Sequence, residues 1–145
     1  MSEATAWPKA VLVLDVAGAR AALAAGPVLL LSAEGAAGTL GPLAWLALMD
    51  QAADGRPVLD ALCCADAPGH ALAALRAGCR RVVLDGAHPA FAQVSSAATE
   101  MGATLLPARP LALDLRGLNL KQAGGRAILA TWLALRTDDI DAAPR

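Results

Sequence analysis

Apolar and polar positions along the chain recur as one phrase: an alanine-rich stretch with helical spacing, a glycine, then a short continuous apolar run. The phrase appears as ARAALAAG-PVLLLSA (19–33) and again as ALAALRAG-CRRVVLDG (71–86). A weaker form is SSAATEMG-ATLLPA (95–108), and ALMDQAADG-RPVLDALCC (47–64) fits with a longer strand. Gly26, Gly55, Gly78 and Gly102 stand where a helix ends and positive φ is useful. With a leading run AVLVLD, the pattern predicts strands at 10–15, 27–33, 58–65, 81–85 and 103–107. Helices are predicted between them at 17–25, about 41–54, 67–77 and 88–101.

Continuous apolar strands suit a parallel sheet covered on both faces. The predicted fold is therefore a single α/β domain over residues 1–145. It has an open, mainly parallel five-stranded sheet with helices on both faces, in a flavodoxin-like or Rossmann-like layout. The core spans about 10–107. An extension over about 108–137 is broken by Pro107, Pro110, Gly117, Gly124 and Gly125 before an apolar helix, RAILATWLALR (126–136). Residues 138–145 read as a frayed tail.

Helix starts follow a proline design. Asp66 and His88 stand at expected N-cap positions before Pro68 and Pro89, and Gly41 precedes Pro42. Asp60 lies early in the third strand, where a covered strand should be apolar, so a strand start near Ala61 is expected, leaving Asp60 solvated.

Two helices are apolar on nearly every side, PLAWLALMDQAA (42–53) and the C-terminal one. The chain is 57% hydrophobic and only 17% charged, against typical values of about 45–50% and about 25%. No apolar run reaches the roughly 20 residues that span a bilayer, and the N-terminus does not read as a signal peptide. The excess apolar surface is therefore expected between copies of the chain. A homo-oligomer is the expectation, through the Trp45 side of 42–53, the C-terminal helix (Ile128, Trp132), or both; the alternative is a compact monomer with deeply buried helices. The net charge of −1 and dispersed basic residues argue against nucleic acid. Cys63, Cys64 and Cys79 make an odd, irregular set that suits a reducing cytoplasm better than a disulfide framework.

Candidate chemistry follows from the rule that ligands of parallel sheets sit beyond the strand C-termini. Ser32 and Glu34 follow the second strand, Asp66 the third, Asp85 and His88 the fourth, and Arg109 the fifth. An arginine among acids could hold a small anionic ligand, with Asp66, Asp85 or His88 placed for proton transfer. No familiar catalytic signature is present. LSAEG around Ser32 lacks the glycines of a nucleophile elbow. No CxxC, HxxxH or HExxH spacing marks a metal site, and adjacent Cys63 and Cys64 in a strand point to opposite faces. The loop SAEGAAGTLGP spaces Gly35, Gly38 and Gly41 as GxxGxxG and lacks the Gly-Lys-Ser/Thr ending of a phosphate loop. Neither cofactor nor metal is expected.

The phrases PVLLLSA and ALRAG resemble fragments of response-regulator receiver domains. A receiver carries paired acids after its first strand and a Lys-Pro after its last; here stand Asp15-Val16-Ala17-Gly18 and Arg109-Pro110. The likeness stops at layout, and layout does not determine function. The residues favour a non-catalytic binding or assembly module; the alternative is an enzyme acting on a small anionic metabolite at the sheet edge.

Overall fold

Each glycine-punctuated phrase becomes a βα unit in the computed structural model, which describes residues 7–135. In chain order the elements are β1 (Ala10–Leu12), α1 (Val16–Ala25), β2 (Leu29–Leu31), α2 (Ala36–Thr39), α3 (Pro42–Ala53) and β3 (Leu59–Cys63). They continue with α4 (Pro68–Ala77), β4 (Arg81–Val83), α5 (Phe91–Glu100), β5 (Thr104–Leu106), β6 (Ala112–Asp114) and α6 (Ala123–Ala134). The part of the C-terminal helix expected beyond Leu135 and the tail at 138–145 lie outside the described residues.

The sheet is parallel throughout, with six strands in the order β5-β4-β3-β2-β1-β6. That corrects the five-strand expectation. The sixth strand, Ala-Leu-Asp, is short, half-buried and free of β-branched residues, so it carries little strand signal. The order also differs from flavodoxin-like 2-1-3-4-5 and Rossmann 3-2-1-4-5-6 sheets. Strands β1 to β5 sit side by side in chain order, as in the wall of an α/β barrel.

That order decides where the helices go. Successive right-handed crossovers that step in one direction place every connecting helix on the same face. Burial shows the result. Val11, Leu30, Leu62, Cys64, Val82 and Leu105 pack with helix residues such as Ala22, Trp45, Leu75, Val94 and Leu129. The alternate strand residues Ala10, Leu29, Leu31, Ala61, Cys63 and Val83 form a second cluster with Trp7, Leu59, Leu106 and Ala112. No helix residue joins that second cluster. Helices on both faces were expected; among the described residues they cover one.

From β5 to β6 the chain reverses direction, so the same handedness sends it across the opposite face. It does so without a helix, as a strap at 107–111. From Leu106 to Ala112 there are 112 − 106 = 6 Cα steps, reaching about 22 Å at most. Six flat strands would hold β5 and β6 about 24 Å apart. The sheet must therefore coil toward the strap.

α3 is the middle helix, flanked by α1 and α4 over the sheet, which accounts for its buried Trp45, Met49, Ala52 and Ala53 but leaves Leu43 exposed. Trp45 is 1% exposed, so it is a core residue and not the anchor of a subunit contact. Its Nε1 donates to Asp60 Oδ2 at 2.7 Å. Asp60 lies within β3, paired with Leu30, and is 8% exposed, which corrects the later strand start and the solvated carboxylate. A buried carboxyl needs a partner or a proton, and here both tendencies operate. Burial pushes the Asp60 carboxyl above its ordinary value, and the Trp45 bond opposes that only in part. Trp132 is likewise engaged inside the chain: its Nε1 donates to the Ala10 carbonyl at 2.7 Å and ties α6 to β1. No described helix is long and apolar enough to cross a membrane.

Candidate functional site

The parallel strands bring the loops after β2, β3 and β4 to one edge, and the strap closes that edge from the helix-free side. Four of the six expected residues meet there. Glu34, Asp66, Asp85 and Arg109 line one cleft of about 480 Å³, with Cys63, Ala65, Val83, Pro107 and Ala108. Glu34 and Arg109 also line an adjoining cleft of about 740 Å³ that runs on past Leu12 and Leu111. Both volumes fall in the range of small-ligand sites, about 300–1,000 Å³.

Ser32 and His88 do not join them. Ser32 is 1% exposed; its Oγ accepts from Cys63 N at 2.8 Å and donates to the Ala33 carbonyl at 2.9 Å. It locks β2 to β3 instead of facing a ligand. His88 Nδ1 accepts from Ala90 N at 3.0 Å. α5 starts at Phe91, so His88 shapes the turn ahead of the helix and is not its N-cap.

The three acids are available for different local reasons. α4 takes Ala67 as N-cap with Pro68 after it, and no side chain caps the helix. Asp66, expected to cap, is thus released to the edge. Asp85 Oδ1 accepts from Ala87 N at 2.9 Å in an ordinary Asx turn, and the residue lines the cleft. Glu34 is exposed just before the single helical turn of α2. Within that turn Gly38 faces His70: a Cβ there would lie 2.6 Å from the imidazole Cε1. The glycine serves close packing, not phosphate binding.

The floor of the cleft comes from the end of β3. Cys63 and Cys64 do point to opposite faces, Cys63 into the cleft wall and Cys64 under the helices. Ala65 follows with φ of 51°, a left-handed conformation that costs a non-glycine residue roughly 1–2 kcal/mol. Its carbonyl accepts from Asp85 N at 2.8 Å, which pins the β3 and β4 loops together. Gly86 N donates to the Pro107 carbonyl at 2.9 Å, and a Cβ at Gly86 would fall 2.7 Å from Pro107 Cβ. The strap therefore begins clamped against the β4 loop.

Arg109 is the unusual member. Its Nη1 is buried and has no hydrogen-bond partner among the described residues. The ion pair found among those residues, Arg116 with Asp114, lies further along and does not involve it. Arg116 holds the Asp114 carboxyl below its ordinary value by hydrogen bonding. Near Arg109, three carboxylates share a cleft with one guanidinium, yet no ion pair within 4 Å joins them.

Among the described residues no three His, Cys, Asp or Glu side chains gather closely enough to hold a metal ion. Two of the three thiols, both outside the cleft, are raised by burial. Burial, with Cys63 and Cys79 nearby, pushes the Cys64 thiol up to about 12. Burial and Asp60 push Cys79 to about 11. No protein-family model matches the chain, and no curated protein matches it.

Sequence reasoning missed Cys63 and Ala65 as cleft residues. The period-two alternation of β3 was a sufficient signal for Cys63, because it sets that side chain opposite to Cys64. Nothing marks Ala65, since alanine has no preference for the left-handed region.

Proposed function

We propose that this protein is a non-catalytic binding module whose small ligand occupies the cleft under the strap and makes a hydrogen bond to Arg109. One observation carries the reading: Arg109 lines a cleft that opens at the strand C-termini, and one of its guanidinium nitrogens is buried without a partner. An unpaired buried charged donor is costly to keep, and a ligand acceptor would satisfy it. The groups best suited to nucleophilic or imidazole catalysis support the non-catalytic side. Ser32, His88, Cys64 and Cys79 all lie outside the cleft; Ser32 Oγ and His88 Nδ1 accept from backbone N–H groups, and burial raises the Cys64 and Cys79 thiols.

The test is an amide NMR titration of the full chain with a mixture of small acids, amines and polyols. Shifts should centre on Ala65, Asp85 and Arg109 and vanish in Arg109→Gln. Scattered shifts that Arg109→Gln leaves intact would reject the site.

A second reading, an enzyme acting on a small anionic metabolite, draws on Asp66 and Asp85, whose carboxylates have room for proton transfer beside Arg109. Turnover of a bound compound, lost in Asp66→Asn or Asp85→Asn, would decide for it. Assembly into homo-oligomers belongs to the same proposal, in a reducing cytoplasm that suits three free cysteines. With Trp45 buried, the surface left for it comprises Leu43 on α3, 72% exposed, and Ile128 on α6, 49% exposed. Sedimentation at micromolar concentration giving only monomer would remove that part.

A further inference from the structure

From the charge layout of the cleft we infer that its ligand is a small zwitterion, an acid group bound by Arg109 and an ammonium group held by the acids. The inference rests on the cleft being a ligand site. The sequence alone suggested a simple anion, because Arg109 was the conspicuous binding group. The assembled cleft argues otherwise. Glu34, Asp66 and Asp85 against Arg109 give −3 + 1 = −2, so an occupant that is only anionic meets net repulsion. An occupant that is only cationic leaves the Arg109 guanidinium, which also lines the cleft, without an acid partner.

A divalent cation bridging the acids would solve the first problem. It is disfavoured because no three acidic, imidazole or thiol side chains among the described residues come together as a ligand set. An ammonium group needs no closed ligand set, and one or two of the acids that line the cleft meet its N–H donors. Between the charged groups the wall is apolar, made by Cys63, Val83 and Pro107, which suits a short methylene stem. An acid on the guanidinium, a stem on the thiol and valine, and an ammonium among carboxylates use every kind of surface the cleft offers.

The experiment titrates the full chain with glycine, 3-aminopropanoate and 5-aminopentanoate, and with pentanoate and pentylammonium as single-charge controls, following cleft amides by NMR. The best zwitterion should bind at least about tenfold tighter than either control, the advantage of completing a second charge-assisted contact. Arg109→Gln should reduce it to the level of pentylammonium. Asp66→Asn combined with Asp85→Asn should reduce it to the level of pentanoate. Both sets of side chains border solvent, and amide spectra of the variants verify folding. If pentanoate binds as tightly as any zwitterion, the ligand class is wrong while the site stands. If neither these compounds nor the broader mixture moves the cleft amides, both the class and the site fall.

Discussion

On the helix-covered face, Trp45 donates to Asp60, and Ser32 Oγ accepts from Cys63 N of β3 while donating to the neighbouring Ala33 carbonyl. Across the same strands, under the strap, Arg109 keeps a buried nitrogen without a partner and Ala65 sits in a left-handed conformation. Both faces bury apolar strand residues almost completely; Leu30 and Leu31 are each 0% exposed. They differ in what their polar groups are for. Where five βα units pack helices onto strands, polar groups complete the fold. Where a six-step return crosses the coiled sheet, three acids and an arginine line an opening and one guanidinium nitrogen stays unpaired.

Substitutions can break that contrast or sharpen it. The largest effect is expected from Trp45→Ala, at about 3–5 kcal/mol of lost stability in urea unfolding, since it opens a cavity and strips Asp60 of its donor. Ser32→Ala should follow at about 1–3 kcal/mol by the same measurement, because Cys63 N then stays buried and unpaired. A cost near zero for Ser32→Ala would show that the helix-face polar groups are not structural after all.

Asp60 gives the same face a pH signature. Its folded value is raised above 3.8, so between the two values the folded chain keeps a proton that the unfolded chain has lost. Its contribution is therefore complete below 3.8 and falls as pH rises through the folded value. Asp60→Asn can still accept from Trp45. It should flatten that part of the urea-stability profile and leave the chain more stable than the parent at neutral pH. A steeper decline in the variant would remove burial of Asp60 as the cause.

On the strap face the sign should reverse. Arg109→Met removes a buried donor that no protein group satisfies, so stability should stay level or rise by up to about 1 kcal/mol. A loss above that would mean Arg109 is a structural tie and the cleft is not kept for a ligand.

Much of this was readable from the chain, for identifiable reasons. Five of the six strands and the helices α1, α3, α4 and α5 fell near where glycine punctuation and apolar runs placed them. In contrast, α6 begins at Ala123 and takes in Gly124 and Gly125, expected as breaks before a helix at 126–136. The short turns of α2 and Leu115–Gly117 were not expected. Glu34, Asp66, Asp85 and Arg109 could be grouped in advance because parallel strands must end at one edge. The strap could not. Its path depends on strand order, which the apolar runs do not encode, and on β6, whose three residues carry no alternation. Trp45 was misread for a related reason. An all-round apolar helix looks the same whether its extra faces meet another subunit or, as here, two neighbouring helices. Asp66 and His88 show the limit of local rules: both precede prolines as caps should, yet α4 starts without a side-chain cap and α5 starts after Ala90.

The smallest expected effect lies at Ala65, where the contrast between the faces is finest. Its φ of 51° costs roughly 1–2 kcal/mol for a residue with a Cβ. Glycine would remove that strain but adds about 0.4–1 kcal/mol of unfolded-state entropy to be lost on folding. Ala65→Gly should therefore stabilise the chain by about 0.8 kcal/mol, the difference of the two mid-range values, read as a shift of the urea midpoint. The strain is held by the Asp85 N–H bond to the Ala65 carbonyl, which links the β3 and β4 loops beside Asp66. If those loops position acids for a ligand, Ala65→Gly should weaken zwitterion binding while raising stability, a divergence that a purely structural turn would not produce. Gains in both would make the left-handed turn an incidental feature of the chain reversal.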